Sequence, residues 1–168
     1  IAGRQKGADP GSGTRSSLMW ETISIVRNMG LWKPRIIIWE NVKNVRSRYM
    51  VHNHEWYMSE LEQMGYISSY ALLDARDFGL PQARKRIFTV SILGGKEFDF
   101  THLKRKPMAN IRAFLERGPV DDYYRVKAPS MLRAIGKTGT VRRLPIIHDY
   151  CWTITERPDR APGCGCLP

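Results

Sequence analysis

The feature that most constrains the fold is the run Ile36-Ile37-Ile38-Trp39, which ends in Glu40-Asn41-Val42. Three consecutive β-branched residues favour an extended backbone and disfavour a helix. Lys33-Pro34 sets the start of the strand, because proline pushes the residue before it out of the helical region. A strand without polar alternation reads as covered on both faces, as in a parallel sheet sandwiched by helices. Ligands of open α/β sheets sit outside the carboxyl ends of strands. Glu40 and Asn41 fall at such an end, so an acid and an amide stand where a site is expected.

The flanking segments fit an α/β order. Thr14, Ser16 or Ser17 can cap a helix that runs to Asn28 and stops at Gly30. Leu18, Ile25, Val26 and Met29 give that helix an apolar face. Residues 55–64 are expected to be helical, with Gly65 just past the end. Strands are expected over 67–73 and 86–93, joined by the turn-rich Asp77-Phe78-Gly79-Leu80-Pro81. These two strands have no helix between them and are expected to pair antiparallel. Beyond residue 100 the character changes. A short helix is expected over 110–117, closed by Gly118, with short strands near 141–147 and 151–155.

Charge sets the class of partner. Residues 1–100 carry 14 Lys/Arg against 10 Asp/Glu, and residues 101–168 carry 13 against 6. The net charge of +11 is therefore concentrated in the last third. Such a balance suits a polyanion, since neutralising phosphates releases condensed counterions. The bland reading is a basic, soluble protein. Three cysteines, Cys151, Cys164 and Cys166, cluster late and form no disulfide framework. Neither they nor His52-Asn53-His54 supply ligands at zinc spacing, so no metal is expected. No apolar run is long enough to span a bilayer, and no membrane association is expected.

The residues that could carry chemistry have two readings each. Glu40 is either a surface acid or, at a buried strand end, a proton or hydrogen-bond donor. Arg84 and Arg86 are two apart at a strand start, so alternation places them on one face and Lys85 on the other. They form either a solvated edge or a donor fork for a carbonyl, carboxylate or phosphate. The opening segment IAGRQKGADPGSG is a glycine-rich surface loop. It lacks the Gly-Lys-Ser/Thr of a phosphate-binding P-loop.

Taken in order, these segments resemble the cytosine-C5 DNA methyltransferase family. Ile1-Ala2-Gly3-Arg4-Gln5-Lys6-Gly7 is similar to the stretch after that family's Pro-Cys-Gln motif. Gly13-Thr14-Arg15-Ser16-Ser17-Leu18, followed by Glu21, is similar to its next motif. Lys33-Pro34 to Glu40-Asn41-Val42-Lys43-Asn44 resembles its Glu-Asn-Val strand end. Asp77 to Arg86 resembles its Gln-x-Arg-x-Arg motif. The resemblance covers residues 1 to about 93.

The resemblance implies a partial Rossmann-like, S-adenosylmethionine-dependent methyltransferase domain over 1–100. The start of a smaller, irregular or β-rich target-recognition region would follow over 101–168. It implies methyl transfer from S-adenosylmethionine to C5 of a cytosine flipped out of double-stranded DNA. Glu40 would be the partner of ring N3 and Arg86 of O2, with Arg84 and Asn41 helping to hold the pocket. Leu18 would lie near the cofactor, most of whose site is expected outside this chain. Ala2, Gly3, Arg4 and Gln5 would close over the DNA. Thr153, Thr155, Arg157 and Arg160 are candidate base contacts. The nucleophilic cysteine is expected before Ile1, so the chain reads as a fragment, inactive by itself, of a cytoplasmic, prokaryotic or phage-type enzyme, monomeric when complete. The alternatives are a non-catalytic DNA-binding module of the same fold and a relative acting on transfer RNA.

Overall fold

The computed structural model describes residues 9, 11, 13, 15–127, 129–135 and 146–154. The chain divides into two compact units, one formed by 1–73 and 85–103, the other by 74–84 and 104–168. In the first, helix α1 spans Met19–Asn28 after a single 3-10 turn at Arg15–Leu18. Strand β1 spans Ile36–Val42 and helix α2 Val51–Gln63. Strands β2 (Tyr66–Asp74) and β4 (Lys85–Leu93) complete a three-stranded sheet of order β1-β4-β2. The mixed α/β class agrees with the sequence reading.

Burial of β1 on both faces within a parallel sheet is not seen among the described residues. The strand pairs antiparallel with β4, Ile36 opposite Ile92 and Val42 opposite Arg86. Exposure alternates along it, with Ile36 and Ile38 more than half exposed. The isoleucine run is apolar on both sides, so the sequence alone points to burial of both. The face bearing Ile37 and Trp39 packs against the core of the first unit.

That packed face rests on both helices. Met19, Ile23 and Val26 of α1 meet Tyr57 and Leu61 of α2. The spacing of each set is one helical stripe. The expected α1 face is corrected here: Val26 is buried, whereas Leu18, Ile25 and Met29 are exposed. The sequence carries two apolar stripes, and α2 covers the one led by Met19. Trp20 against Trp56, with ring centroids 4.5 Å apart, and the Arg27–Glu60 ion pair flank the contact.

Helix α2 begins four residues before the expected 55 and takes in His52, Asn53 and His54. Its N-cap is Met50, with no side-chain cap, so no capping signature marked the start. Gly65, at φ +92°, ends it as expected, its N–H donating to the Glu62 carbonyl. Fully buried His54 pairs with Thr89 Oγ1 of β4 at 2.8 Å and stacks on Trp39 at 5.5 Å. Arg46 Nη1 lies 3.4 Å from its other ring nitrogen.

In the second unit Asp74 is the anchor. It is buried, and Arg76 clamps both carboxylate oxygens, at 2.7 Å through Nη2. The Arg76 backbone N–H also donates to it, at 3.1 Å, and the guanidinium lies 4.9 Å from the centre of the Tyr150 ring. These donors hold the Asp74 carboxyl below the usual carboxylate range. Strand β3 (Gln82–Ala83) pairs parallel with β5 (Cys151–Trp152). Ile111, Ile147 and Cys151 form a small core. The expected helix over 110–117 is one 3-10 turn, Ile111–Phe114. The expected strand near 151–155 is reduced to two described residues, and most of the strand expected near 141–147 lies outside the described residues.

Two stability predictions follow from the core. Burial, reinforced by Arg46 and opposed by Glu55, lowers His54 from 6.5 to about 4. The folded state therefore binds fewer protons than the unfolded state between these values. The contribution is complete above pH 6.5 and is lost as pH falls toward 4, by at most about 3 kcal/mol. Urea unfolding at pH 7.5, 6 and 5 should show this slope, and His54→Gln should flatten it. Second, the Tyr57 hydroxyl is buried, pushed up to about 12 by desolvation, and has no hydrogen-bond partner among the described residues. Tyr57→Phe should leave the midpoint of thermal unfolding unchanged or raise it, by up to about 1 kcal/mol of stability.

Candidate active-site pocket

The register of β1 on β4 places the candidate residues. Glu40 lies opposite Phe88, and Val42 opposite Arg86. Residues two apart on a strand share a face, so Arg86 is a diagonal neighbour of Glu40 on the face away from the helices. Arg86 Nε lies 2.9 Å from Glu40 Oε1. Arg86 Nη1 also donates to the Lys85 carbonyl at 2.9 Å, so the guanidinium is held at two points. The Glu40 side chain is 44% exposed and that of Arg86 19%. The pair is open to solvent on the carboxylate side and backed by Phe88 and Val42 along the strands.

Chemically, the arrangement offers an oxygen acceptor and a planar array of N–H donors side by side. A ligand with adjacent donor and acceptor edges can replace the mutual contact with one bond to each group. The edge of a nucleobase has that character.

The other candidates are distributed differently. Asn41 falls on the opposite face of β1 from Glu40, and its Oδ1 accepts from the Val42 N–H at 2.7 Å. Arg84 precedes the first residue of β4 and belongs to the second unit, so strand alternation does not extend back to it. Its carbonyl accepts from Ala75 N at 3.1 Å. Leu18 is 61% exposed at the start of α1. Thr153 spends its hydroxyl proton on the Ala83 carbonyl at 3.1 Å. Ala2, Gly3, Arg4, Gln5, Thr155, Arg157 and Arg160 lie outside the described residues. Of the opening loop, Asp9 accepts from Asn53 Nδ2 at 3.2 Å and sits equally close to His52 Nε2.

Comparison with known proteins then fixes the family. The model of the C-5 cytosine-specific DNA methylases matches residues 1–145. The chain belongs to that family. A type II methyltransferase of Lactococcus lactis subsp. cremoris, M2.ScrFI, is 34% identical over 155 residues. The match covers 92% of this chain and 39% of that protein. M.HhaI of Haemophilus parahaemolyticus is 33% identical over 54% of this chain and 26% of its own length. The chain thus spans well under half the length of these methylases. Among solved structures, the Dnmt2 methyltransferase of S. pombe superposes with a TM-score of 0.65 at 20% identity. It covers 90% of this chain and 47% of that one, and shows a shared fold.

Sequence reasoning missed one feature of this methylase-family chain. In the second unit an open cavity of about 550 Å³ is lined by Arg76, Asp77, Arg105, Lys106, Pro107 and Met108. The signal was there as three consecutive basic residues, Lys104-Arg105-Lys106. Nothing in the sequence said that they fold back on the turn after Asp74. Among the described residues no group of His, Cys, Asp and Glu could hold a metal ion, and no helix is long and apolar enough to cross a membrane.

The Glu40–Arg86 pair itself should add little to stability. Half-exposed ion pairs contribute about 0–1 kcal/mol. A double-mutant cycle with Glu40→Gln and Arg86→Gln, read by urea unfolding, should give a coupling below about 1 kcal/mol.

Proposed function

We propose that the protein carrying this chain methylates C5 of cytosine in double-stranded DNA, and that Glu40 and Arg86 hold the ring. The observation that carries the reading is their contact across β1 and β4, at the end of a strand, in a chain of the methylase family. Cytosine C5 is a weak nucleophile. Addition of a nucleophile at C6 makes C5 electron-rich, and negative charge develops on the ring. A protonated Glu40 carboxyl would donate to N3 and the Arg86 guanidinium to O2, and both bonds would strengthen as that charge develops; loss of the C5 proton and expulsion of the C6 nucleophile would then restore the ring. The target base must leave the duplex to reach a strand end, as in other enzymes acting on bases.

S-adenosylmethionine, the methyl donor of the resemblance, finds no fitting site in the described residues alone. Leu18 would offer it apolar contact and no polar side-chain atom. Arg84 and Asn41 are assigned supporting roles, Asn41 by fixing the backbone after Glu40. Residues 1–100 are assigned to catalysis and 101–168 to target recognition. The closing loop would be Ala2, Gly3, Arg4 and Gln5, and the base contacts Thr155, Arg157 and Arg160. Thr153 is assigned to holding β5 beside β3. The net charge of +11 supports DNA as the partner. Names of the relatives as type II methyltransferases support a restriction-modification setting inside the cell.

The test is Glu40→Gln in the complete protein. Binding to duplex DNA should remain within a fewfold of the parent, and methyl transfer to cytosine should drop by at least about a hundredfold. Full activity in that variant would remove Glu40 from the mechanism.

A further inference from the structure

The basic segment of the second unit is held with more order than a solvated surface run needs. The Lys106 N–H donates to the Asp77 carbonyl at 2.9 Å, and Phe78 and Lys106 form a parallel bridge. The Ala109 N–H donates to the Gly79 carbonyl at 3.2 Å. The receiving turn is itself fixed by the Asp74–Arg76 clamp and by Gly79 at φ +88°, a backbone that side chains with a Cβ rarely adopt. Arg105 Nη1 bonds Asp77 Oδ2 at 2.7 Å. Lys104 and Lys106 are exposed, and among the described residues neither has a carboxylate partner.

The charges therefore do not cancel. Arg76 answers Asp74 and Arg105 answers Asp77, which leaves two ammonium groups on one pinned turn. Neither ammonium group offsets a carboxylate of the described residues, so ion pairing within the chain does not explain them. A polyanion does. Lysine presents a point charge with three donors on a flexible stem, which suits phosphate oxygens and carries no base preference. A fixed backbone lowers the ordering cost of such contacts.

We propose that Lys104 and Lys106, presented by the Asp77–Gly79 turn beside the Arg76–Met108 cavity, bind phosphodiester groups of duplex DNA and position the backbone without reading sequence. This rests on the methyltransferase reading above for its choice of DNA, and on the pinned turn for the residues.

The experiment compares the complete protein with K104A/K106A and K104R/K106R. Each is titrated with 30-base-pair duplexes of two unrelated sequences between 50 and 200 mM KCl. K104A/K106A should lower the slope of log affinity against log salt by about 2, equally for both duplexes. Its deficit against the parent should shrink about tenfold across that salt range. The double arginine variant should restore the parental slope, which a purely structural role for the lysines would not predict. The single variants K104A and K106A should each lower the slope by about one and serve if the double variant does not fold. An unchanged slope, or a loss confined to one duplex, overturns the proposal. So does a slope change seen only with structured RNA of the same length. Cytosine methylation by the parent is measured alongside. A parent that methylates with the slope unchanged in K104A/K106A refutes only the lysine turn. A parent that neither methylates nor binds duplex DNA refutes the methyltransferase reading and this inference with it.

Discussion

The antiparallel register of β1 on β4 is the constraint on which the first unit depends. With Trp39 opposite Thr89, the odd-numbered residues of both strands face α1 and α2. There Thr89 reaches His54, and Trp39 stacks on Tyr57 at 4.9 Å. The same register turns Glu40 and Arg86 to the other face and brings them within 2.9 Å. A slip of one residue would exchange these sets. A slip of β1 would expose the tryptophan and drive the Glu40 carboxylate into an apolar core. The burial of the aromatic residues thus fixes the geometry of the charged pair, although the two groups never touch.

The second unit uses a charged interaction where the first uses apolar packing. Its core is small, centred on Ile111, Ile147 and Cys151. Asp74 is buried, and its charge is matched by a bidentate guanidinium that also stacks on Tyr150. Leaving either partner alone would be costly, so the pair defines one conformation of the turn more than it adds stability. A fixed turn holds the exposed basic segment beside it through the Lys106 and Ala109 backbone N–H groups and the Arg105–Asp77 pair.

How much of this was legible follows the range of the interaction. Local signals were read well. The isoleucine run gave β1, and Gly65 gave the end of α2. The missing start of α2 reflects a helix without a capping side chain, held instead by the burial of Asn53 and His54, which is a tertiary effect. The wrong stripe of α1 was favoured because Leu18, Ile25 and Met29 have helical spacing too. The choice lay with the shape of α2. Asn41 follows Glu40 in sequence, and the strand turns it to the opposite face of β1. Arg84 was placed in the strand with Arg86, yet the break between β3 and β4 separates them.

The sequence by itself determined the family and the identity of the paired acid and base, because ordered motifs at fixed spacing survive without knowledge of their contacts. It also determined the polycationic character, since net charge is a sum over residues and needs no fold. Only the tertiary structure decided that Glu40 meets Arg86, which lies 46 positions further along the chain. It alone decided that β1 runs antiparallel to β4. It also decided that Lys104 to Lys106 lie along the turn after Asp74. Each of these depends on which strand or turn another segment pairs with, and pairing is set by packing between distant segments.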